Sequence, residues 1–257
     1  VTPAARQVRD LSLWQVGEVV HVVACDANAS VGELPADFLQ RPPEEAGYNA
    51  TKVPLMEVLA TGARPLLVVN TLCGPLDEYG SRVVDGVRRA LAEVGSDAAL
   101  TGSDETNMTT TQTGVGVTVI GAVAAAELRV GASRAGDVVV CVGTPKDGVV
   151  VPYREGDADI AAPRHVVAAL GAGVRELLPV GSKGVAYELG QLSATAGLVA
   201  EPLATPGLDP AVSAGASTCF LASLPVDALP ALRSAVSVPV VAVATLRPDP
   251  TIREDTP

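Results

Sequence analysis

The sequence predicts a mixed α/β protein in two domains, and three observations carry that prediction. Val115, Val117 and Val119 alternate with Gly116 and Thr118, the two-residue period of a half-buried strand. Asp77 to Val94 carries Val83, Val84, Val87, Leu91 and Val94 on one stripe, with Arg82, Arg88, Arg89 and Glu93 largely off it, the pattern of a surface helix. Strands and helices then continue beyond a glycine-marked turn at Gly131 to Gly136.

Element by element, the β-branched run Val19 to Cys25 reads as a buried strand, ending in a polar turn from Asp26 to Ser30. A loop rich in Pro and Glu leads to a helix, Tyr48 to Ala60, which tolerates Pro54 and stops at Gly62. A strand around Leu66–Val69, the helix from Asp77 and a short strand Ala98–Thr101 follow. After the polar segment Gly102 to Asn107 comes the alternating valine strand. The domain boundary is placed between residues 135 and 136. Beyond it, strands at 137–142, 218–222 and 238–243 alternate with helices at 159–170, 183–195 and 226–235. Residues 248–257 read as a disordered, proline-rich tail.

Composition narrows the function. Of the 257 residues, 48% are hydrophobic but only 3% aromatic, so the core is Val, Ala and Leu, and aromatic platforms for single-stranded nucleic acid are not expected. A net charge of −11 opposes phosphodiester backbones and anionic lipid. No apolar run reaches the roughly 20 residues that cross a bilayer, and Val1 to Asp10 lacks the apolar segment of a signal peptide, so a cytoplasmic protein without a membrane or nucleic-acid partner is expected. Cys25, Cys73, Cys141 and Cys219 are scattered, and His21 and His165 isolated, which suits a reducing compartment and disfavours zinc.

Three acidic positions stand out. Asp26 follows an apolar strand, where a carboxylate is costly unless paired or at a rim; Asp104 follows a second strand, and Glu57 interrupts the apolar helix segment Val53–Leu59. Singly, each reads first as a turn residue, a cap or a solvated side chain. Together they suit a hard cation such as magnesium, which shares carboxylate oxygens with phosphate. Gly114-Val115-Gly116 lacks the third glycine and the helix of a dinucleotide loop. Gly181-Ser182-Lys183-Gly184 lacks Walker spacing and reads as a helix start capped by Ser182, with phosphate contact by Lys183 as the alternative.

These segments resemble the superfamily of aminoimidazole-ribonucleotide (AIR) synthase, thiamine-monophosphate kinase and selenophosphate synthetase. Pro43-Glu44-Glu45-Ala46-Gly47 and Leu55 to Pro65 resemble its Pro-Glu-x-x-Gly and Ser-Asp-Leu-Ala-Ala-Met-Gly-Ala-x-Pro blocks. Asp26 falls where the family has its first metal-binding Asp-Asp; Gly102-Ser103-Asp104-Glu105-Thr106 is similar to its Gly-Gly-Asp-Thr turn, and Arg129 to Val139 to its crossing between domains. Met56 to Ala63, Gly102 to Met108, Pro179 to Gly184 and Ser213 to Thr218 are most similar to α-ribazole kinase of cobalamin salvage. The chain departs from the pattern at Cys25-Asp26, at Glu57 and at Val180 to Gly184, which stands in place of an acidic Asp-x-Ser-Asp-Gly motif.

The resemblance implies an N-terminal sheet that pairs across a homodimer into a barrel, beside a smaller C-terminal α+β domain. It implies a kinase using ATP and Mg²⁺ to phosphorylate a small nucleoside-like acceptor such as α-ribazole. Asp26, Glu57 and Asp104 would hold the metal; Lys52, Gly102, Ser103, Thr106 and Asn107 would contact the nucleotide; Lys146 or Lys183 would offset developing charge. Another enzyme of the superfamily, or a regulatory subunit that binds nucleotide without turnover, is the alternative.

Overall fold

The first unit of the computed structural model, which describes residues 4–251, is built on one sheet. Its elements are β1 (Arg6–Val8), β2 (Leu11–Val16), β3 (Val19–Ala29), the short pair β4 (Val31–Gly32) and β5 (Leu39–Gln40), α1 (Pro43–Ala60), β6 (Arg64–Leu72), α2 (Glu78–Glu93), β7 (Ala99–Asp104) and β8 (Gly114–Ala124). Six strands join in the order β1-β2-β3-β8-β6-β7, antiparallel except for the last pair.

Both helices cover the same face. α1 lies along β3 and β8, burying Val20, Val22, Ala24, Val117 and Val119. Pro43 starts it where no amide donor is needed, and Glu44 and Glu45 complement its positive end. Glycines let α2 approach closely: a Cβ on Gly86 would lie 2.0 Å from the Glu44 carbonyl oxygen, and one on Gly47 1.8 Å from that of Val83. Asp77 caps α2 by accepting from the Gly80 amide. Among the described residues no helix of this unit covers the opposite face, where Val23, Ile120 and Leu67 align in one cross-strand row and Cys25, Thr118 and Val69 in the next.

The second unit begins at Leu128. It contains β9 (Val138–Gly143), α3 (Pro163–Gly171), β10 (Glu176–Pro179), α4 (Gly184–Thr195), β11 (Leu198–Pro202), β12 (Cys219–Leu224), α5 (Leu229–Ala235) and β13 (Val240–Pro248). Its all-antiparallel sheet runs β10-β12-β9-β13-β11, with β9 and β12 buried throughout. Two buried carboxylates fasten its leading segment: Glu176 accepts from the Gly131 and Ser133 amides and the Ser133 hydroxyl, and Asp137 from Arg134, Arg175 and Ser223. Buried charges held this way are satisfied rather than strained.

Four local expectations need correction. β3 does not end at Cys25 but pairs with β8 as far as Ala29, and the chain turns at Ser30 with φ of 60°. β7 likewise runs through Gly102, Ser103 and Asp104, because its parallel pairing with β6 continues to Leu72. Ser182 does not cap α4; Lys183 stands at the cap and makes no side-chain capping bond. The expected tail begins inside β13, and Asp249 bonds Thr251 in a turn; residues 252–257 lie outside the described residues.

Candidate functional site at the end of the parallel strand pair

Strand register decides which polar residues can meet. Asp26 on β3 aligns with Val117 on β8, Asn70 on β6 and Gly102 on β7, and the next row is Asn28, Val115, Leu72 and Asp104. Aligned residues share a face, so Asp26, Asn28, Asn70 and Asp104 all stand on the helix-covered side. Strand spacing of about 4.8 Å then separates Asp26 from Asp104 by about 14 Å or more.

Glu57 belongs to neither row. Its neighbour Val58 sits over Gly121, four residues along β8 from Val117. Among the described residues no group of three His, Cys, Asp or Glu side chains could hold a metal ion. Asp26, Glu57 and Asp104 therefore do not form one ligand shell within this chain, because three strand spacings and a helical offset hold them apart.

What does assemble is the rim around Asp104. Its carboxylate accepts from the Leu76 amide at 3.0 Å, tying the β6–α2 turn to the end of β7. A groove of about 310 Å³ lies on one side, lined by Gly102, Ser103, Asp104, Asn70 and Arg88. A cleft of about 270 Å³ lies between the β6–α2 turn and the 105–113 loop, lined in part by Leu72, Tyr79, Val83, Thr106 and Met108. Gly102 is required locally, since a Cβ there would meet the Asn70 side-chain oxygen at 2.6 Å. Glu105 accepts from the Asn107 and Met108 amides and so shapes the loop.

The floor is pinned by a cluster that sequence reasoning missed. Asp37, 7% exposed, accepts from the Thr113 amide and hydroxyl and from the Leu34 amide, while Tyr79 shares a hydrogen bond with Thr113. Gly32 stands where these groups converge, and a Cβ there would lie 2.2 Å from both hydroxyl oxygens. Apart from Leu34, three residues before Asp37, the partners are 34 to 76 residues apart, so no local pattern announces them.

The other expected residues lie elsewhere. Lys52 is fully buried within α1. In the second unit, Lys146 pairs with Asp159 at 2.8 Å, and Lys183 reaches the Tyr187 hydroxyl at 3.1 Å with its ammonium over that ring.

The oxygen donors suit a hard divalent cation held by one or two protein groups, phosphate and water supplying the remainder. Burial pushes the Asp26 carboxyl above its usual range, partly offset by a hydrogen bond from the Ala27 amide. Two positions along the same face, Asn28 presents a buried side-chain oxygen with no hydrogen-bond partner. A cation beside this pair would answer both.

Residues 14–123 match the family model "AIR synthase related protein, N-terminal domain". The architecture around that segment agrees over nearly the whole chain. A structure named AaThiL, complexed with AMPPCP and TMP, superposes with a TM-score of 0.65 at 18% identity, covering 93% of this chain and 85% of that one. The fold is the one seen in that structure. The hydrogenase maturation protein HypE in complex with ATP shares it at a TM-score of 0.66 and 18% identity, over 92% of this chain and 78% of that one. In sequence, the thiamine-monophosphate kinase of Archaeoglobus fulgidus is 30% identical over 95 residues, 37% of this chain. The match spans 30% of that relative's length. Asp104 ends β7, and Leu72, beside it on β6, lines both clefts.

Proposed function

We propose that this chain is an AIR synthase-related, ATP-dependent small-molecule kinase whose nucleotide lies across the Asp104 rim. The observation that carries the reading is the convergence of Gly102, Ser103, Asp104 and Thr106 on two adjoining clefts. Relatives with this fold are named as complexes with ATP or AMPPCP, which supports a nucleotide as the ligand. The acceptor is a nucleoside-like hydroxyl; the resemblance in sequence favours α-ribazole, in cobamide salvage, in the cytoplasm.

Phosphoryl transfer asks a protein mainly to position two ligands and to stabilise charge on the transferred group. Asp104 would hold Mg²⁺ together with phosphate, and the ion would supply that stabilisation; Asp26, three strands away, could hold only a separate ion beside Asn28. Ser103, Thr106 and Asn107 offer neutral donors at the rim, and Arg88, ion-paired with Asp85, adds a cation to the groove. Lys146 and Lys183 belong to the second unit, where Asp159 and Tyr187 engage them. Lys52 and Glu57, both buried in α1, support the site by position rather than by reach. A homodimer is part of the proposal: the uncovered sheet face of the first unit is where a second copy would pair.

The test is ADP formation by the purified chain with Mg²⁺ and ATP, with α-ribazole, thiamine monophosphate or no acceptor. Acceptor-dependent ADP with α-ribazole supports the full reading, and with thiamine monophosphate only its kinase part. A second reading, a nucleotide-binding regulatory subunit, draws on the separation of the three carboxylates. ATP binding without any acceptor-dependent turnover would favour it and defeat the kinase.

A further inference from the structure

The two clefts beside Asp104 differ in charge, and the difference sorts what each can hold. No lysine or arginine lines the 270 Å³ cleft, whereas Arg88 lines the groove. The only ionisable carboxylate on the cleft wall is Asp77, which accepts the amide of Gly80 at the start of α2. Asp104 and Glu105 stand at its edge, where β7 passes into the 105–113 loop. A phosphate entering here would leave water for carboxylates and neutral hydroxyls, an arrangement that Coulomb repulsion and desolvation both penalise.

Its remaining walls suit an uncharged ring. Leu72 and Val83 form buried apolar surface, and Leu34 and Met108 add more. The Thr110 and Thr113 hydroxyls are engaged within the protein. Those of Thr106 and Thr109 form no hydrogen bond among the described residues. Apolar walls with a few unspent donors and acceptors are how proteins hold a flat heterocycle in a fixed orientation. The volume is below the roughly 300 Å³ at which pockets for whole drug-sized ligands begin, enough for a ring but not for a complete nucleotide.

We infer that this cleft is a pocket for the uncharged base of a nucleoside, with the phosphate-bearing part of the ligand directed past Asp104 into the Arg88 groove. The inference deepens the kinase proposal and rests on it for the ligand's identity. The base has two sources, the donor nucleotide or the acceptor nucleoside.

Cys73 gives a direct probe, because it is exposed and lines the cleft, while Cys25, exposed in a single chain but on the β3 face proposed to pair, lies outside the lining and is read against its own rate without ligand. Alkylation of both thiols by N-ethylmaleimide is followed by peptide mass spectrometry, with no turnover required. Adenosine, AMPPCP with Mg²⁺, α-ribazole and inorganic triphosphate with Mg²⁺ are added separately. A base-bearing ligand at ten times its Kd is expected to slow Cys73 alkylation about tenfold, leaving Cys25 unchanged. Protection by adenosine and AMPPCP assigns the pocket to the donor; protection by α-ribazole alone assigns it to the acceptor. Triphosphate protecting as well as AMPPCP, or no base-bearing ligand protecting, overturns the inference. Thr109→Trp, on the exposed loop, should fill the cleft and abolish protection while leaving the circular dichroism spectrum unchanged; protection that persists in it also counts against the pocket. Failure of acceptor-dependent ADP formation with Cys73 still protected would defeat the kinase and not the pocket.

Discussion

Asp26 is a residue whose burial works against stability. Its native carboxyl binds its proton more tightly than the unfolded chain's, whose ordinary value is 3.8. As pH rises between those two values the folded state keeps the proton longer, so stability falls across that window and stays lowered at neutral pH. Asp26→Asn should therefore unfold at a higher temperature than the natural chain at pH 7, with the gap closing below about pH 4. A lower midpoint at pH 7 would mean that the carboxylate is already compensated. Asp104 calls for a different substitution test. Asparagine there keeps an oxygen for the Leu76 amide, so Asp104→Asn should fold normally yet weaken Mg²⁺-dependent binding of AMPPCP on the order of tenfold or more, by calorimetry. Unchanged affinity would remove Asp104 from the site. Both carboxylates were legible in the sequence from their place after apolar runs. Their separation was not, because it depends on a strand order that brings together residues as remote as Val19 and Ala124 only through pairing.

Among the elements, those with strong periodicity were read most accurately. The α2 stripe located a helix that runs from Glu78 to Glu93, with its cap at Asp77. Strand ends were misjudged for a common physical reason. Asp, Asn, Ser and Gly favour turns locally, but continued ladder pairing with β8 and β6 holds Asp26 to Ala29 and Gly102 to Asp104 extended. Alternation from Val22 through Ala24, Asp26 and Asn28 was the signal that could have extended β3. The strands β1, β2, β10 and β11 were missed, being short or partly exposed, or set among prolines and charges. The helix pair yields its own prediction. At Gly86 a methyl group meets the Glu44 backbone, which no side-chain rotation can relieve. Gly86→Ala should cost about 1–3 kcal/mol, seen as a lower denaturant midpoint at unchanged slope, despite alanine's better helix propensity. A gain in midpoint would show that α1 and α2 can move apart without penalty.

For the whole molecule, the question is what lies against the uncovered face of the first sheet. An antiparallel sheet can leave one face to water, but such faces are ordinarily polar. Here Val23, Ile120, Leu67 and Val69 stand on it together, while both helices of the unit are occupied on the other side. Pairing two copies through this face would withdraw these side chains from water at roughly 25 cal/mol per Å² of apolar surface, before association costs are subtracted. Light scattering after size-exclusion chromatography should then give twice the 26.0 kDa chain mass at micromolar concentration. The melting temperature should rise with protein concentration, as linkage requires when folding and association are coupled. Ile120→Asp places a charge in the middle of the face and should yield a 26.0 kDa species with the same far-ultraviolet spectrum. If the natural chain is already monomeric at those concentrations, the sheet pairing fails. The Asp104 clefts, which are built from residues of one chain, would stand without it.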